Sequence, residues 1–534
     1  MPHMTSMHWA RWGDPAEQAP LAGTVRDLVE AAFGPTTARS PVPLDEVRLP
    51  EAALDRHLLD ELGGIVGADH LQTDHEARIR HTRGRSTPDL LRMRGGDGGD
   101  APDVVVRPGD HEQVAAVVGW CSEHGVALVP FGGGTSVVGG LTARDTGLVG
   151  VVALDLRRLD RLVSVDEVSG TAVLEAGMLG PQAEAALAGH GLTLGHYPQS
   201  FEYASIGGFA ATRSSGQASS GYGRFDSMVV GLTAATPIGT LSLGSAPATA
   251  AGPDLRQLVL GSEGAFGVIT SVTVRVRPAP QVTVYEGWRL ESFDAGLAAV
   301  RELAQAGAAP TVLRLSDENE TAVDLSAPDQ VAVAVSTSST TEGGVLLLTG
   351  FEGDRETVDA SRALVGARLR DAGGSPLGED PGRAWLHGRF RAPYLRDSLL
   401  DLGVLVETLE TATFWSRVPD LYAKVSAALT EALAGDSPLV LCHVSHVYPT
   451  GASLYFTVAA RQADDGLEQW SRAKRAASEA IVASGATITH HHAVGRDHRP
   501  WLAAEIGPVG VEMLRAVKER LDPNGVLNPG ALIP

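Results

Sequence analysis

The chain has 534 residues, of which 43 are basic and 64 acidic, giving a formal net charge of −21. Such a length exceeds what one hydrophobic core supports, so we expect two or more domains. The acidic balance argues against nucleic acid as a partner, because its phosphates need a basic surface. Two cysteines are too few for a disulfide framework or a cysteine zinc site.

No apolar run reaches the roughly 18 residues of a membrane-spanning helix. Residues 1–10 lack the apolar stretch of a secretory signal. We therefore expect a cytoplasmic protein, and peripheral contact with a membrane surface stays open.

A strand–helix–strand pattern begins at residue 103. Residues 103–107 are a short β-type run, Asp110 begins a capping box, and Gly125 stops the helix that follows. Residues 126–129 form the next apolar run. Strand, helix, strand and glycine loop in this order predict an α/β unit.

The glycine loop has five glycines within positions 132–140. Backbone N–H groups in such a loop can form a concavity that binds an anion, and glycine lets a ligand approach the backbone closely. The spacing matches neither a P-loop nor the dinucleotide-binding fingerprint that opens a helix. We interpret the loop as a pyrophosphate cradle; the alternative is a glycine-rich turn without a ligand.

Two further stretches, 199–223 and 261–270, are rich in glycine and hydroxyl side chains. Turns alone do not explain three such stretches so close together. A large cofactor with several phosphates would need several such stretches around it, and we call 132–140, 199–223 and 261–270 the first, second and third walls. After Pro278 and Pro280 the composition changes to β-type runs alternating with helical patterns. The predicted strands there include 282–288, 331–336 and 344–351, with a loop at 375–381 and a last helix at 509–521. We predict a two-domain α/β fold, divided into an N-terminal extension (1–100), a cofactor domain (101–280), an α+β cap or substrate domain (281–485) and a C-terminal segment that returns to the cofactor (486–534).

Three consecutive histidines, His490, His491 and His492, are the clearest candidates for chemistry. Imidazole titrates near neutrality, which suits proton transfer or charge stabilisation. Metal binding would need further ligands, and adjacent histidines on an extended segment seldom converge on one ion. We therefore expect no metal, although a metal site and a purely structural role stay as alternatives.

Other candidates depend more on their context. Tyr455 lies in an alternating β-type run, where a core tyrosine is the commoner case. Arg396 could bind a phosphate or carboxylate, or simply pair with Asp397. His443 and His446 would fall on opposite faces of an extended segment, so we do not expect both in one site.

Taken together, these segments resemble the alkyldihydroxyacetonephosphate synthase family, a branch of the vanillyl-alcohol-oxidase or PCMH-type FAD-binding flavoproteins. The resemblance covers nearly the whole chain. The matching segments are Arg11-Trp12-Gly13, 130–136, 199–208, 212–215, 261–270, 393–397, Tyr455-Phe456 and 490–495.

This resemblance implies a PCMH-type two-subdomain FAD-binding domain with FAD along the three walls. Attachment is expected to be non-covalent, because the glycine loop has no His or Cys. The implied cofactor-binding residues are Pro130, Phe131, Gly132, Gly133, Gly134, Thr135, Ser136, Gln199, Ser200, Ser205, Gly208, Thr212, Ser214, Ser215, Ser262, Glu263, Gly264, Gly267 and Val268.

The reaction that the resemblance implies replaces the acyl chain of acyl-dihydroxyacetone phosphate with a fatty alcohol, without net redox. Flavin N5 would hold the dihydroxyacetone phosphate carbon between the two steps, which divides one difficult displacement into two. Tyr455 matches the family's acid/base tyrosine and Arg396 its phosphate-binding arginine. His490, His491 and His492 match its histidine cluster near the flavin. We also expect a homodimer.

The chain departs from the family at Ala493, where the family has glycine, and in 442–446. A second function is therefore kept open: an FAD-dependent oxidase or dehydrogenase of a 2-hydroxy acid or alcohol. Arg396 would then bind a carboxylate and the histidines would help to remove a proton. A flavin-binding protein without catalysis is a third alternative.

Overall fold

A computed structural model describes residues 7–18, 21, 23–143, 147–326 and 343–534. The strand predicted at 331–336 lies outside these residues. The helices are α1 (Gly23–Phe33), α2 (Arg56–Val66), α3 (His75–Arg80), α4 (Thr87–Arg94), α5 (His111–His124), α6 (Gly180–Ala188), α7 (Ile206–Thr212), α8 (Ser219–Tyr222), α9 (Phe225–Met228), α10 (Arg256–Val259), α11 (Phe293–Gln305), α12 (Glu318–Ser326), α13 (Arg355–Asp371), α14 (Asp380–Gly388), α15 (Ala392–Asp401), α16 (Val418–Ala432), α17 (Gly466–Ala483) and α18 (Arg499–Leu521).

The strands form two small sheets, one two-stranded ribbon and one large sheet. They are β1 (Leu71–Gln72), β2 (Val104–Val106), β3 (Ala127–Phe131), β4 (Val151–Asp155), β5 (Leu162–Asp166), β6 (Thr171–Glu175), β7 (Leu192–Thr193), β8 (Val229–Thr236), β9 (Gly239–Leu243), β10 (Val268–Arg275), β11 (Arg277–Pro278), β12 (Val282–Leu290), β13 (Val312–Ser316), β14 (Val345–Gly353), β15 (Ser375–Gly378), β16 (Val404–Phe414), β17 (Leu439–Val444), β18 (Val447–Tyr448) and β19 (Gly451–Arg461).

The first small sheet has the order β1-β2-β4-β3, and β2, β4 and β3 are parallel. Helix α5 connects β2 to β3. The Asp110 carboxylate accepts a hydrogen bond from Gln113 N at 2.8 Å, and Gly125 ends the helix at φ +63°. The predicted α/β unit is therefore confirmed, and β3 delivers the chain to the glycine loop.

The second small sheet, β5-β6-β10-β8-β9, is antiparallel, and α6 and α7 pack on it. Strand β10 begins directly after residues 261–267, which belong to the third wall. The sheet therefore fixes the position of that wall. The C-terminal segment lies beside the first sheet. Leu128 N donates to Val526 O and Asn528 N donates to Leu128 O, both at 2.8 Å.

The large sheet, in the order β15-β12-β14-β13-β17-β19-β16, carries a core formed with α11, α13, α16 and α17. Strands β16 and β19 pair along their whole length, and their register places Glu410 opposite Tyr455. Two long-range strand pairings, β16 with β19 and β17 with β19, thus place Glu410 and His443 on either side of Tyr455.

Two predictions of secondary structure were wrong. The loop predicted at 375–381 contains β15, because Ser375 pairs with Arg289 and extends the edge of the large sheet. The last helix begins at Arg499, ten residues before the predicted start. A break at Gly507 (φ +73°) accommodates Pro508 inside it, and the sequence pattern detects only the part after the proline. The four-part domain division stays a prediction.

Candidate active site

The glycine loop lies against the second wall so closely that side chains would not fit. A Cβ on Gly132 would overlap the Ser205 hydroxyl, and one on Gly133 would overlap the Tyr203 carbonyl oxygen. Gly134 has φ +69° beside the Phe131 ring. The glycines therefore permit close approach of two backbone segments, as well as the left-handed conformation.

The third wall closes the same region from another side. Glu263 N donates to Ala211 O at 3.0 Å, and Gly264 packs against Pro130. The Glu263 carboxylate accepts hydrogen bonds from Val494 N (3.2 Å) and Gly495 N (2.7 Å). The three walls predicted from separate stretches of sequence therefore meet, together with the segment that follows the histidines.

Buried polar atoms within these walls test whether a cofactor fits. Ser136 Oγ, Ser262 Oγ and Gln199 Nε2 are buried, and none has a hydrogen-bond partner among the described residues. Buried donors and acceptors normally find partners. FAD would satisfy such atoms with its phosphate and ring oxygens, so the residues present suit this cofactor.

Several residues of the predicted cofactor set already have structural partners. Ser205 caps α7 by accepting from Gly208 N at 3.2 Å, and the Thr212 hydroxyl donates to Gly208 O at 2.9 Å. Ser214 Oγ is 3.1 Å from His196 Nε2. Val268 begins β10 with its side chain in the hydrophobic core. These side chains shape the walls, and Val268 does not present its side chain to a ligand.

The histidine segment is held by one buried carboxylate, Glu410. This carboxylate accepts hydrogen bonds from the backbone N–H groups of His490 (2.6 Å), His491 (3.1 Å) and His492 (2.9 Å), and from the Thr489 hydroxyl at 2.5 Å. Burial disfavours its charge, but the Thr489 hydroxyl and the three backbone donors hold the pKa of Glu410 well below its ordinary value. The segment is a bent turn around an anion, so the alternation of faces that holds for an extended segment does not apply to it.

Tyr455 faces this turn. Its ring centroid lies 6.0 Å from that of His491, 5.6 Å from that of His492 and 4.8 Å from that of His443. Burial raises the pKa of Tyr455 to about 12, so its phenol is protonated at neutral pH. The ring contacts place Tyr455 beside the histidines, and its hydroxyl has Thr408 as a hydrogen-bond partner, so the core-tyrosine alternative with a satisfied hydroxyl stays open.

The histidines are neutral, contrary to the expectation that they titrate near neutrality. Burial lowers the pKa of His490, His491 and His492, because a charged imidazolium loses its hydration there. They are available as hydrogen-bonding and proton-accepting groups but do not supply a positive charge at pH 7.

His443 and His446 both reach this region. Strand β17 ends at Val444, so the alternation of faces does not extend to His446. His443 Nδ1 is 3.0 Å from Glu320 Oε1, whereas His446 Nδ1 is 3.2 Å from Ser215 Oγ and its ring stacks on His490 at 5.1 Å. The expectation that the two would not share one site depends on an extended run through both residues, and strand β17 ends between them.

Arg396 lies on α15, where its Nη1 donates to Arg85 O at 2.6 Å and its Nε to Asp397 Oδ1 at 3.1 Å. The ion pair with Asp397 exists, as the alternative interpretation predicted. Nη2 also lies 3.1 Å from Asp397 but is not aligned for a hydrogen bond. The guanidinium is thus oriented by two contacts and retains donor capacity.

Glu410 and Tyr448 are contributors that the sequence patterns did not single out, whereas His446 was named as a candidate and not expected to share a site with His443. Glu410 is found only through the register of β16 on β19, and Tyr448 only through its 2.6 Å contact with His490 Nε2. No local motif marks either residue. Ala493 adopts φ +74°, which explains why a glycine would suit this position.

Comparisons with known proteins agree with this architecture. Residues 102–243 match the FAD binding domain and residues 279–532 match the C-terminal domain of FAD linked oxidases. A solved structure of p-cresol methylhydroxylase, 17% identical, shares the fold with a TM-score of 0.65 over 89% of this chain and 96% of that chain. The protein is thus an FAD-dependent enzyme with a PCMH-type fold, which confirms the predicted fold class and cofactor.

The nearer relatives define the family. The alkyldihydroxyacetonephosphate synthase of Trypanosoma brucei brucei is 32% identical over 91% of this chain and 82% of its own. A solved structure of an alkyldihydroxyacetonephosphate synthase is 28% identical, covers 99% of both chains and has a TM-score of 0.85. The chain belongs to the alkyldihydroxyacetonephosphate synthase family.

Proposed function

We propose that the protein replaces the acyl chain of acyl-dihydroxyacetone phosphate with a fatty alcohol, releasing a fatty acid without net redox. The observation that carries the proposal is the enclosure of the protonated Tyr455 by neutral histidines beside the three walls. The family relationship supports the same reaction, since the curated relative is named for it. Non-covalent FAD is part of the proposal.

When bound, FAD supplies the nucleophilic and electron-storing centre of the exchange. The chain's own residues provide the acid–base chemistry. Tyr455 donates a proton from its phenol, and the neutral imidazoles of His491 and His492 accept one. Glu410 fixes the histidine backbone, so the rings stay in place as charge moves. Arg396 binds the substrate phosphate through the part of its guanidinium that lacks an aligned partner.

Peripheral contact with a membrane is also proposed, since both substrates carry long alkyl chains. Val509 and Met513 on α18 are 74% and 66% exposed, and Phe414 at the end of β16 is 61% exposed. Thr487 connects these elements, because it hydrogen-bonds to β16 and to Glu505 on α18. Among the described residues, no helix is both long and apolar enough to cross a membrane. A cytoplasmic location and a homodimer stay predictions.

The test is incubation of the FAD-loaded protein with palmitoyl-dihydroxyacetone phosphate and hexadecanol, followed by mass spectrometry. We expect ether product and palmitic acid in equal amounts. Absence of ether product from protein that retains its FAD would contradict the proposal. The match of 279–532 to FAD linked oxidases would then favour 2-hydroxy-acid oxidation.

A further inference from the structure

Three histidine rings from two distant segments converge beside the site. His446, His490 and His491 each offer one ring nitrogen, and these nitrogens lie within 4.8 Å of one another. The proposed reaction assigns no role to His446. No further ligand for His490 and His491 was evident from the sequence, and the structure supplies His446 from the segment that follows β17.

The ring orientations suit metal ligands. His490 Nε2 lies 2.6 Å from the Tyr448 hydroxyl, so its Nδ1 can present a lone pair. His446 Nδ1 lies 3.2 Å from Ser215 Oγ, which leaves Nε2. A metal-binding histidine usually has its second nitrogen held in this way, which fixes the ring and its tautomer.

The spacing is close to what a small cation needs. Zinc binds histidine nitrogen at about 2.0–2.1 Å, so neighbouring ligand atoms lie roughly 3.3 Å apart. His490 Nδ1 and His491 Nδ1 are 2.9 Å apart, a distance that an N–H···N hydrogen bond also gives. If His491 takes the Nε2–H tautomer, both Nδ1 lone pairs face the ion and no proton is lost. The three ligand nitrogens lie within 4.8 Å of one another, so the His446 ring moves toward the other two when it binds the ion.

The local charges partly balance. Burial keeps all three imidazoles neutral, so none has to lose a proton before binding. The Glu410 carboxylate lies 3.5 Å from His491 Nδ1 and favours a cation. The charge of Arg224 acts on the same histidines and opposes a cation. A divalent ion with neutral ligands and one adjacent carboxylate is therefore the best match.

We propose that His446, His490 and His491 bind one divalent cation of the zinc class, and that this ion inhibits the enzyme. The inhibition rests on the proposed function, because the ion would occupy His491, one of the two imidazoles that accept the proton in the reaction. Binding itself does not depend on the proposed function.

The test measures zinc bound to the FAD-loaded protein by equilibrium dialysis, with cobalt absorption as a check of coordination. We expect one ion per chain and at least about tenfold weaker binding in His446→Gln and Tyr448→Phe. His57→Gln, an exposed histidine on α2, serves as the matched control and should bind zinc as the wild type does. The flavin spectrum verifies that each variant is folded.

Equal zinc affinity of the wild type and both variants, or the absence of a saturable site, would overturn the proposal. These measurements use no substrate, so their failure leaves the ether-product assay untouched. Inhibition is tested separately: zinc should suppress turnover of the wild type, and a chelator should restore it. Zinc that binds without suppressing turnover would contradict the inhibitory role.

Discussion

The cofactor walls and the histidine site differ in how their parts are encoded. Each wall is a short continuous stretch whose glycines and hydroxyls suit it to a phosphate-rich ligand, and the structure brings the three stretches together. The histidine site depends on Glu410, Tyr455 and His446, which come together only through the register of the strands and the end of strand β17 before His446. Cofactor binding is therefore a property of local segments, whereas the chemistry depends on tertiary pairing. The two can be separated by mutation.

The largest effect is expected from Tyr455→Phe. Because this change removes the proposed proton donor but no part of the walls, kcat/KM should fall about 10³-fold while the flavin content stays the same. Steady-state kinetics and the flavin spectrum check both. Tyr422→Phe is the matched control, because its hydroxyl bonds Asp317 and none of the described ring contacts joins it to His490, His491 or His492. It should cost only about 1 kcal/mol of stability. Full activity of Tyr455→Phe would contradict the assignment.

Gly133→Ala should instead lower the flavin content and leave the acid–base residues in place. Its Cβ would overlap the Tyr203 carbonyl oxygen, so the first and second walls must separate and FAD affinity should fall by roughly two orders of magnitude. Flavin content after gel filtration measures this. Gly119→Ala is the control: Gly119 lies on α5 with no atom within 4 Å of a new Cβ. That variant should keep its FAD, and its free energy of unfolding should rise by about 0.5–1 kcal/mol. Equal flavin content in both variants would show that close packing of the walls is unimportant.

Arg396→Lys probes substrate binding alone. A lysine loses the planar fork and the contact with Arg85 O, so KM for acyl-dihydroxyacetone phosphate should rise about 10- to 100-fold. The fatty-alcohol KM and the flavin content should not change. Arg391→Lys, at the start of the same helix and paired at 3.7 Å with Glu17, is the matched control. A similar rise in both variants would point to a disturbed helix instead of a lost phosphate contact.

The last prediction concerns stability instead of activity, at Glu263, which connects the walls to the segment after the histidines. Burial raises its pKa from 4.5 to about 7, so the folded protein holds this proton more tightly than the unfolded chain does. Stability should therefore fall as pH rises from about 4.5 to 7, by about 1.4 kcal/mol per unit of pKa difference. In Glu263→Gln this contribution should vanish, which thermal melts between about pH 4.5 and 7 can measure. The same pH slope in both proteins would contradict this account.

Much of the fold was predictable because its signals are local. Asp110 and Gly125 define α5 through capping and a left-handed residue, and both lie within a few positions of the helix they bound. The edge strand β15 was missed, because only its pairing with β12 makes it a strand. A partner nearly ninety residues away in sequence leaves no local trace.

The site shows the same limit. The sequence identified His490, His491 and His492 but not the bend of this segment, since the buried anion that bends it comes from β16. Their neutral state was equally hidden, because it follows from burial and not from residue type. His446 was set aside on an alternation argument that fails where β17 ends.

The measurement that tests the central claim most directly is an anaerobic turnover experiment. The FAD-loaded enzyme is mixed with palmitoyl-dihydroxyacetone phosphate and hexadecanol while flavin absorbance and products are followed together. The account predicts many equivalents of ether product and palmitic acid per flavin, with the flavin oxidised at the end. Bleaching of the flavin with at most one equivalent of product would contradict it and identify the enzyme as a dehydrogenase on the same fold.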